Sequence, residues 1–260
     1  MQLITACGTG EPPTADDTMW GGVAALCDGV TWTPIDYPAS IACFNPAGAI
    51  TGVSEDTSRA TGVAAMVAAI RATDDRVTIG GYSLGALVVA DLLAAMAQGA
   101  YPDLEITAVV NLANPGRAPG VSYGLPSSGF GIDGAHPAWP AGIPVYEIAN
   151  PSDAITSAPA DSPWRMAADA IRTFNISVQG IESWVSSMIA QMDGQQQVQA
   201  QAHLFDAEWW ESYAVAPGQL WGYLLGGEHT LGYQRAQWFT SSGSRVTGQQ
   251  LAAEVVAKFA

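Results

Sequence analysis

Positive charge is scarce in this chain. Nine Lys and Arg stand against 24 Asp and Glu over 260 residues, a formal net charge of −15 with an isoelectric point near 4.2. Such a surface repels phosphate backbones and anionic headgroups, so no nucleic-acid partner is expected. Cysteine is scarce as well. Cys7, Cys27 and Cys43 leave at least one thiol unpaired within the chain, and no C-x-x-C pair exists. Their expected role is that of small buried hydrophobes, with spacing leaving a single bridge open. Nothing calls for a metal or a cofactor. No apolar run approaches the ~18 residues of a membrane span, so no integral membrane association is expected. The amino-terminal stretch Met1 to Gly8 lacks a basic n-region and a long apolar h-region. It reads as a first core strand, and the expectation is a chain made in a cytoplasm without a signal peptide.

What the chain has is apolar bulk in an alternating order. Hydrophobic residues make up 48%, enough for one large domain or one domain with an insertion. Strand signals at 3–7, 30–35, 77–79, 106–112 and 145–149 alternate with helical spacing at 18–27, 63–70 and 84–96. Asp56 or Thr57 is placed to cap the second helix, and 251–259 reads as a closing helix. This alternation implies an α/β fold, with a central, mostly parallel sheet covered on both faces. From Trp164 onward, Ile171, Phe174, Val178, Ile181, Val185, Met188 and Met192 mark one face of a long or broken helix. The expected division is a core of 1–159 and 226–260, with 160–225 as a helical insertion.

Gly81-Tyr82-Ser83-Leu84-Gly85 is a G-x-S-x-G pentapeptide. A nucleophile on a sharp strand-to-helix turn needs small residues on either side, where bulk would meet neighbouring backbone. The pattern alone is weak, and the chain contains a second copy, Gly120-Val121-Ser122-Tyr123-Gly124. That copy lies among prolines, with neither strand before it nor helix after it. The copy at Ser83 has both, so Ser83 is the expected nucleophile of an α/β-hydrolase.

A serine hydroxyl needs a base, and the base an orienting acid; in α/β-hydrolases the order is Ser, acid, His. Of His136, His203 and His229, only His229 stands late enough, in Gly226-Gly227-Glu228-His229-Thr230. Asp153 follows a strand end in Asn150-Pro151-Ser152-Asp153 and is the expected acid. Asp161 and Asp169 lie further out, and Glu147 lies inside its strand. The Leu84 N–H, with that of Thr9 or Gly10 after the first strand, is expected to form the oxyanion hole. Pro13 replaces the third glycine of a dinucleotide fingerprint in that loop.

Several segments together resemble the lysin B proteins of mycobacteriophages, which are cutinase-like α/β-hydrolases. They are Gly8-Thr9-Gly10, Trp32 to Ala39 (Trp-Thr-Pro-Ile-Asp-Tyr-Pro-Ala), Gly81 to Ala86, Asn114-Pro115-Gly116-Arg117, Asn150 to Asp153, and His229 followed by Tyr233. The resemblance implies an esterase that cleaves mycolic acid from arabinogalactan, or acts on a related lipid ester, during phage-induced lysis. It also implies action on the host envelope after release, a helical linker between acid and base, and catalytic roles for Ser83, Asp153 and His229. Cys7 and Leu84 depart from the His and Gln common in that family. A general cutinase or lipase acting on shorter esters is the alternative. Trp209, Trp210, Trp221 and Trp238 fit either plain core or the wall of an acyl channel.

Overall fold

A computed structural model describes residues 1–41, 45–47, 52–158 and 227–260. Five strands, β1 (Gln2–Ala6), β2 (Thr31–Pro34), β3 (Val77–Tyr82), β4 (Ala108–Leu112) and β5 (Val145–Ile148), form one parallel sheet in the order β2-β1-β3-β4-β5. Parallel neighbours cannot be joined by a tight hairpin. The chain crosses over through α1 (Met19–Ala24), α2 (Glu55–Arg71) and α3 (Leu84–Ala97). A 3-10 turn (Leu231–Gln234), a short antiparallel ribbon of β6 (Trp238–Phe239) and β7 (Arg245–Val246), and α4 (Gly248–Ala257) follow.

Alternation along the strands builds two cores. Ile4, Ile79 and Val109 face one side, packed with Met66, Val67 and Ile70 of α2 and with Leu87 and Val88 of α3. Leu3, Val110, Leu112 and Ile148 face the other, against Trp20 and Val23 of α1 and Leu251, Val255 and Val256 of α4. Both faces of the sheet are therefore dry, which is why the strands read as continuous apolar runs. The strand order reverses at β1. The chain first steps outward to β2, then crosses back to β3 and continues to β5. The carboxyl ends of β1 and β3 thus diverge into a crevice at the switch point, where parallel α/β sheets bind ligands.

Two local expectations change. The cap of α2 is Ser54, not Asp56 or Thr57: its backbone is extended and its Oγ accepts the Thr57 N–H. Glu55 and Asp56 occupy the first turn instead, where the helix dipole favours them. Helix α4 begins at Gly248, ahead of the first apolar position, because Thr247 and Gln250 form a reciprocal capping box. The β6–β7 ribbon has two residues per strand, too short to leave a periodicity. Trp238 is core: fully buried, it stacks on Tyr233 and donates from Nε1 to the Ala149 carbonyl. Cys7 and Cys27 are free thiols. The expected helical insertion at 160–225, Trp209, Trp210, Trp221 and Cys43 lie outside the described residues.

Candidate active site

The site grows from the turn between β3 and α3. Ser83 has φ 53° and ψ −119°, a strained backbone for a residue with a Cβ. The strain is held by packing and hydrogen bonds. The Ser83 N–H donates to the Leu112 carbonyl at 3.1 Å, and its own carbonyl accepts from Ala86 N–H at 2.9 Å. The flanking glycines are required sterically. A Cβ at Gly81 would run into the backbone of Gly85 and Ala86, and one at Gly85 into the carbonyls of Ala6 and Cys7. The elbow is thus wedged against the end of β1.

Two distant segments complete the geometry. His229 Nε2 lies 2.8 Å from Ser83 Oγ, and His229 Nδ1 lies 2.8 Å from Asp153 Oδ2. A carboxylate can only accept, so Nδ1 carries the proton and Nε2 is left free to receive that of serine. Asp153 is fully buried and His229 almost so, which excludes water from the hydrogen bond that orients the ring. Asp153 Oδ1 accepts the Ile155 N–H at 3.0 Å, so both oxygens are engaged. Tyr82, the residue before Ser83, stacks on the imidazole and donates its hydroxyl to the His229 carbonyl at 2.9 Å.

The expected oxyanion donors divide. Leu84 is the first residue of α3, where an N–H has no preceding helical carbonyl to meet and the helix dipole adds positive potential. Thr9 N–H makes no hydrogen bond among the described residues. Gly10 does not serve: its N–H donates to the Ala39 carbonyl at 2.9 Å, tying this loop to the one after β2. The loop has an organiser that sequence reasoning left without a role. Glu11 accepts the Gly8 N–H at 2.7 Å and the Met19 N–H at 2.9 Å, locking the turn and the start of α1. Burial pushes its carboxyl up, against the pull of those two backbone donors and of nearby His229.

The Asp153 loop is held by residues that motif reading quoted without assigning them work. Arg117 is completely buried. It donates to the carbonyls of Thr156, Val121 and Gly129 and to the Ser127 hydroxyl, sewing the loop after β4 to the segment just beyond Asp153. Asn150 Nδ2 reaches the carbonyl of Glu228, next to His229. The links from Arg117 to Thr156 and from Asn150 to Glu228 join segments 39 and 78 residues apart, and no local spacing marks them.

The remaining candidates fall elsewhere. The Ser122 hydroxyl donates to the Leu125 carbonyl at 2.6 Å within its own turn. His136 lies flat on Trp139, with Nδ1 2.7 Å from the Pro137 carbonyl. Glu147 is buried beside Asn111 and Asn114. His203, Asp161 and Asp169 lie outside the described residues. Among the described residues, no group of three or more His, Cys, Asp or Glu is placed to hold a metal ion.

Comparison with known proteins now decides the family. Residues 28–200 match the PE-PPE domain model. The chain belongs to the PE-PPE domain family. No curated protein matches it by sequence. Among solved structures, lysin B from Mycobacteriophage D29 superposes with a TM-score of 0.62 at 19% identity, covering 98% of both chains. A likeness at that identity is one of fold, and it makes the fold of this PE-PPE domain an α/β-hydrolase. An acetyl xylan esterase (TM-score 0.43, 20% identity, 72% of this chain and 94% of that one) is a second similar structure. A cutinase-like protein from Cryptococcus sp. (TM-score 0.43, 19% identity, 60% and 78%) is a third.

Proposed function

We propose that this PE-PPE domain is a serine esterase whose substrate is the ester joining mycolic acid to arabinogalactan, cleaved in the host envelope during phage-induced lysis. The carrying observation is the continuous chain Ser83 Oγ, His229 Nε2, His229 Nδ1 and Asp153 Oδ2, with two separations of 2.8 Å. In the reaction, Ser83 Oγ attacks the ester carbonyl as its proton passes to His229 Nε2. The resulting oxyanion meets the N–H groups of Leu84 and Thr9. Collapse expels the alcohol, which takes the proton from His229 and leaves an acyl-Ser83. Water then attacks with its proton going to His229, and as the Ser83 Oγ–acyl bond breaks His229 returns that proton to Oγ and the free acid departs. The ester class draws support from the fold shared with lysin B over 98% of both chains and from the ordered motifs that resemble that family. A scarcity of positive charge suits a neutral lipid or glycan ester better than a polyanion.

The test has two stages. Wild type should hydrolyse p-nitrophenyl butyrate, and Ser83→Ala should lose at least roughly 10⁴-fold in kcat. A Ser83→Ala variant of near-normal activity refutes the nucleophile. Free mycolic acid released from purified mycolyl-arabinogalactan supports the substrate. Turnover confined to short soluble esters points to a general cutinase or lipase.

A further inference from the structure

The catalytic acid has a second side-chain donor. Asp153 Oδ2, the oxygen that accepts His229 Nδ1, also accepts the hydroxyl of Tyr233 at 3.2 Å. The same hydroxyl accepts the Asn150 N–H at 3.0 Å. A short chain therefore runs from the Asn150 backbone through the phenol to the carboxylate. Both donors to Oδ2 come from one turn, because the 3-10 segment Leu231–Gln234 starts two residues after His229 and turns Tyr233 back under it. Tyr233 is fully buried, with its ring stacked on Trp238. Gly248 at the start of α4 packs closely on the ring.

We infer that Tyr233 is a positioning residue for the esterase reaction, clamping Asp153 Oδ2 so that this oxygen, and not Oδ1, orients the imidazole. The inference rests on the esterase reading of the site. A carboxylate free to rotate about its Cα–Cβ and Cβ–Cγ bonds would offer either oxygen to His229, at varied angles. Here Oδ1 is anchored by Ile155 N–H and Oδ2 by the phenol, so the carboxylate plane is defined before the base binds it. The phenol suits the task because it both accepts from Asn150 and donates to Asp153. Its ionisation lies well above 10, driven up first by burial and then by the charge of Asp153, so it stays a donor throughout the working range.

The experiment is a double-mutant cycle between Tyr233→Phe and Asp153→Asn, read as kcat and KM on p-nitrophenyl butyrate. Tyr233→Phe alone should lower kcat about tenfold with KM within about twofold, in line with the loss of an orienting hydrogen bond. On the Asp153→Asn background it should cost no further activity, since the group through which it acts is gone. An equal loss in both backgrounds would mean general damage to the fold and overturns the inference, as does no loss in either. A second readout needs no turnover. The low-field proton resonance of His229 Nδ1–H should move in Tyr233→Phe and stay in place in Ser122→Ala, whose hydroxyl bonds only its own turn. If no ester is hydrolysed by wild type, the reaction assignment fails, and an unmoved resonance separately refutes the clamp.

Discussion

Glu147 offers the most direct test of the energetics beneath the sheet. It sits on β5 opposite Asn111 of β4, and almost none of it is exposed. Its Oε1 accepts Nδ2 of Asn111 and of Asn114, both at 3.0 Å. Among the described residues, its Oε2 and the Asn111 Oδ1 are buried acceptors without a donor. One proton on Oε2 supplies a donor where two acceptors lack one. Burial accordingly pushes the carboxyl up from 4.5 to about 7, opposed by the two asparagine donors and by the charge of Arg117. The sign follows from which state holds the proton more tightly. The folded protein does, so this stabilisation is fully present below pH 4.5 and is lost as pH rises toward 7. At about 1.4 kcal/mol per pH unit, the gap amounts to about 3 kcal/mol. Glu147→Gln is neutral at every pH and keeps a carbonyl oxygen to accept from Asn111 and Asn114. Urea unfolding followed by tryptophan fluorescence should show the variant more stable than wild type by up to about 3 kcal/mol at pH 8, with little difference at pH 4.5. A difference independent of pH, or a variant weaker than wild type at pH 8, would refute the reasoning.

Other consequences are as specific. Asp153→Asn should lower kcat by roughly 10⁴-fold while the fold survives, because the amide cannot hold the tautomer that leaves Nε2 free; a loss under tenfold on p-nitrophenyl butyrate would contradict that role. Gly85→Ala drives a methyl group into the carbonyls of Ala6 and Cys7, so soluble protein or midpoint of thermal unfolding should fall sharply. Wild-type stability in this variant would show that the elbow can shift. Burial raises the Cys7 thiol to about 12, so native protein at pH 8 should leave Cys7 unmodified by iodoacetamide, as mass spectrometry of the peptides would show, and should expose it only on unfolding.

Residues whose requirements are local were legible before any coordinates. The α/β order came from periodicity, since strands buried on both faces and helices buried on one carry different repeats. The choice of Ser83 over Ser122 came from strand before and helix after, because an elbow is a property of about ten consecutive residues. Asp153 was picked from its place past a strand end and His229 from its late place in the chain, and the fold brings both side chains to Ser83. What came from packing was not legible. Gly10 and Thr9 were equivalent on paper, and only the approach of Ala39, brought in by the loop after β2, occupies one N–H and leaves the other.

The same division separates the chemistry from its support. A nucleophile, a base and an acid carry their identity in their side chains, so the sequence by itself determined which residue types could serve and in what order they had to come. Glu11, Arg117 and Tyr233 take their roles from partners that are remote in the chain or reached only through a turn. Their contributions rest on distances of about 3 Å that a linear pattern does not contain. Glu147 shows this most plainly: on paper it is one acidic residue in a strand, and only its tertiary setting, dry and short of donors, makes it a group that holds a proton near neutral pH.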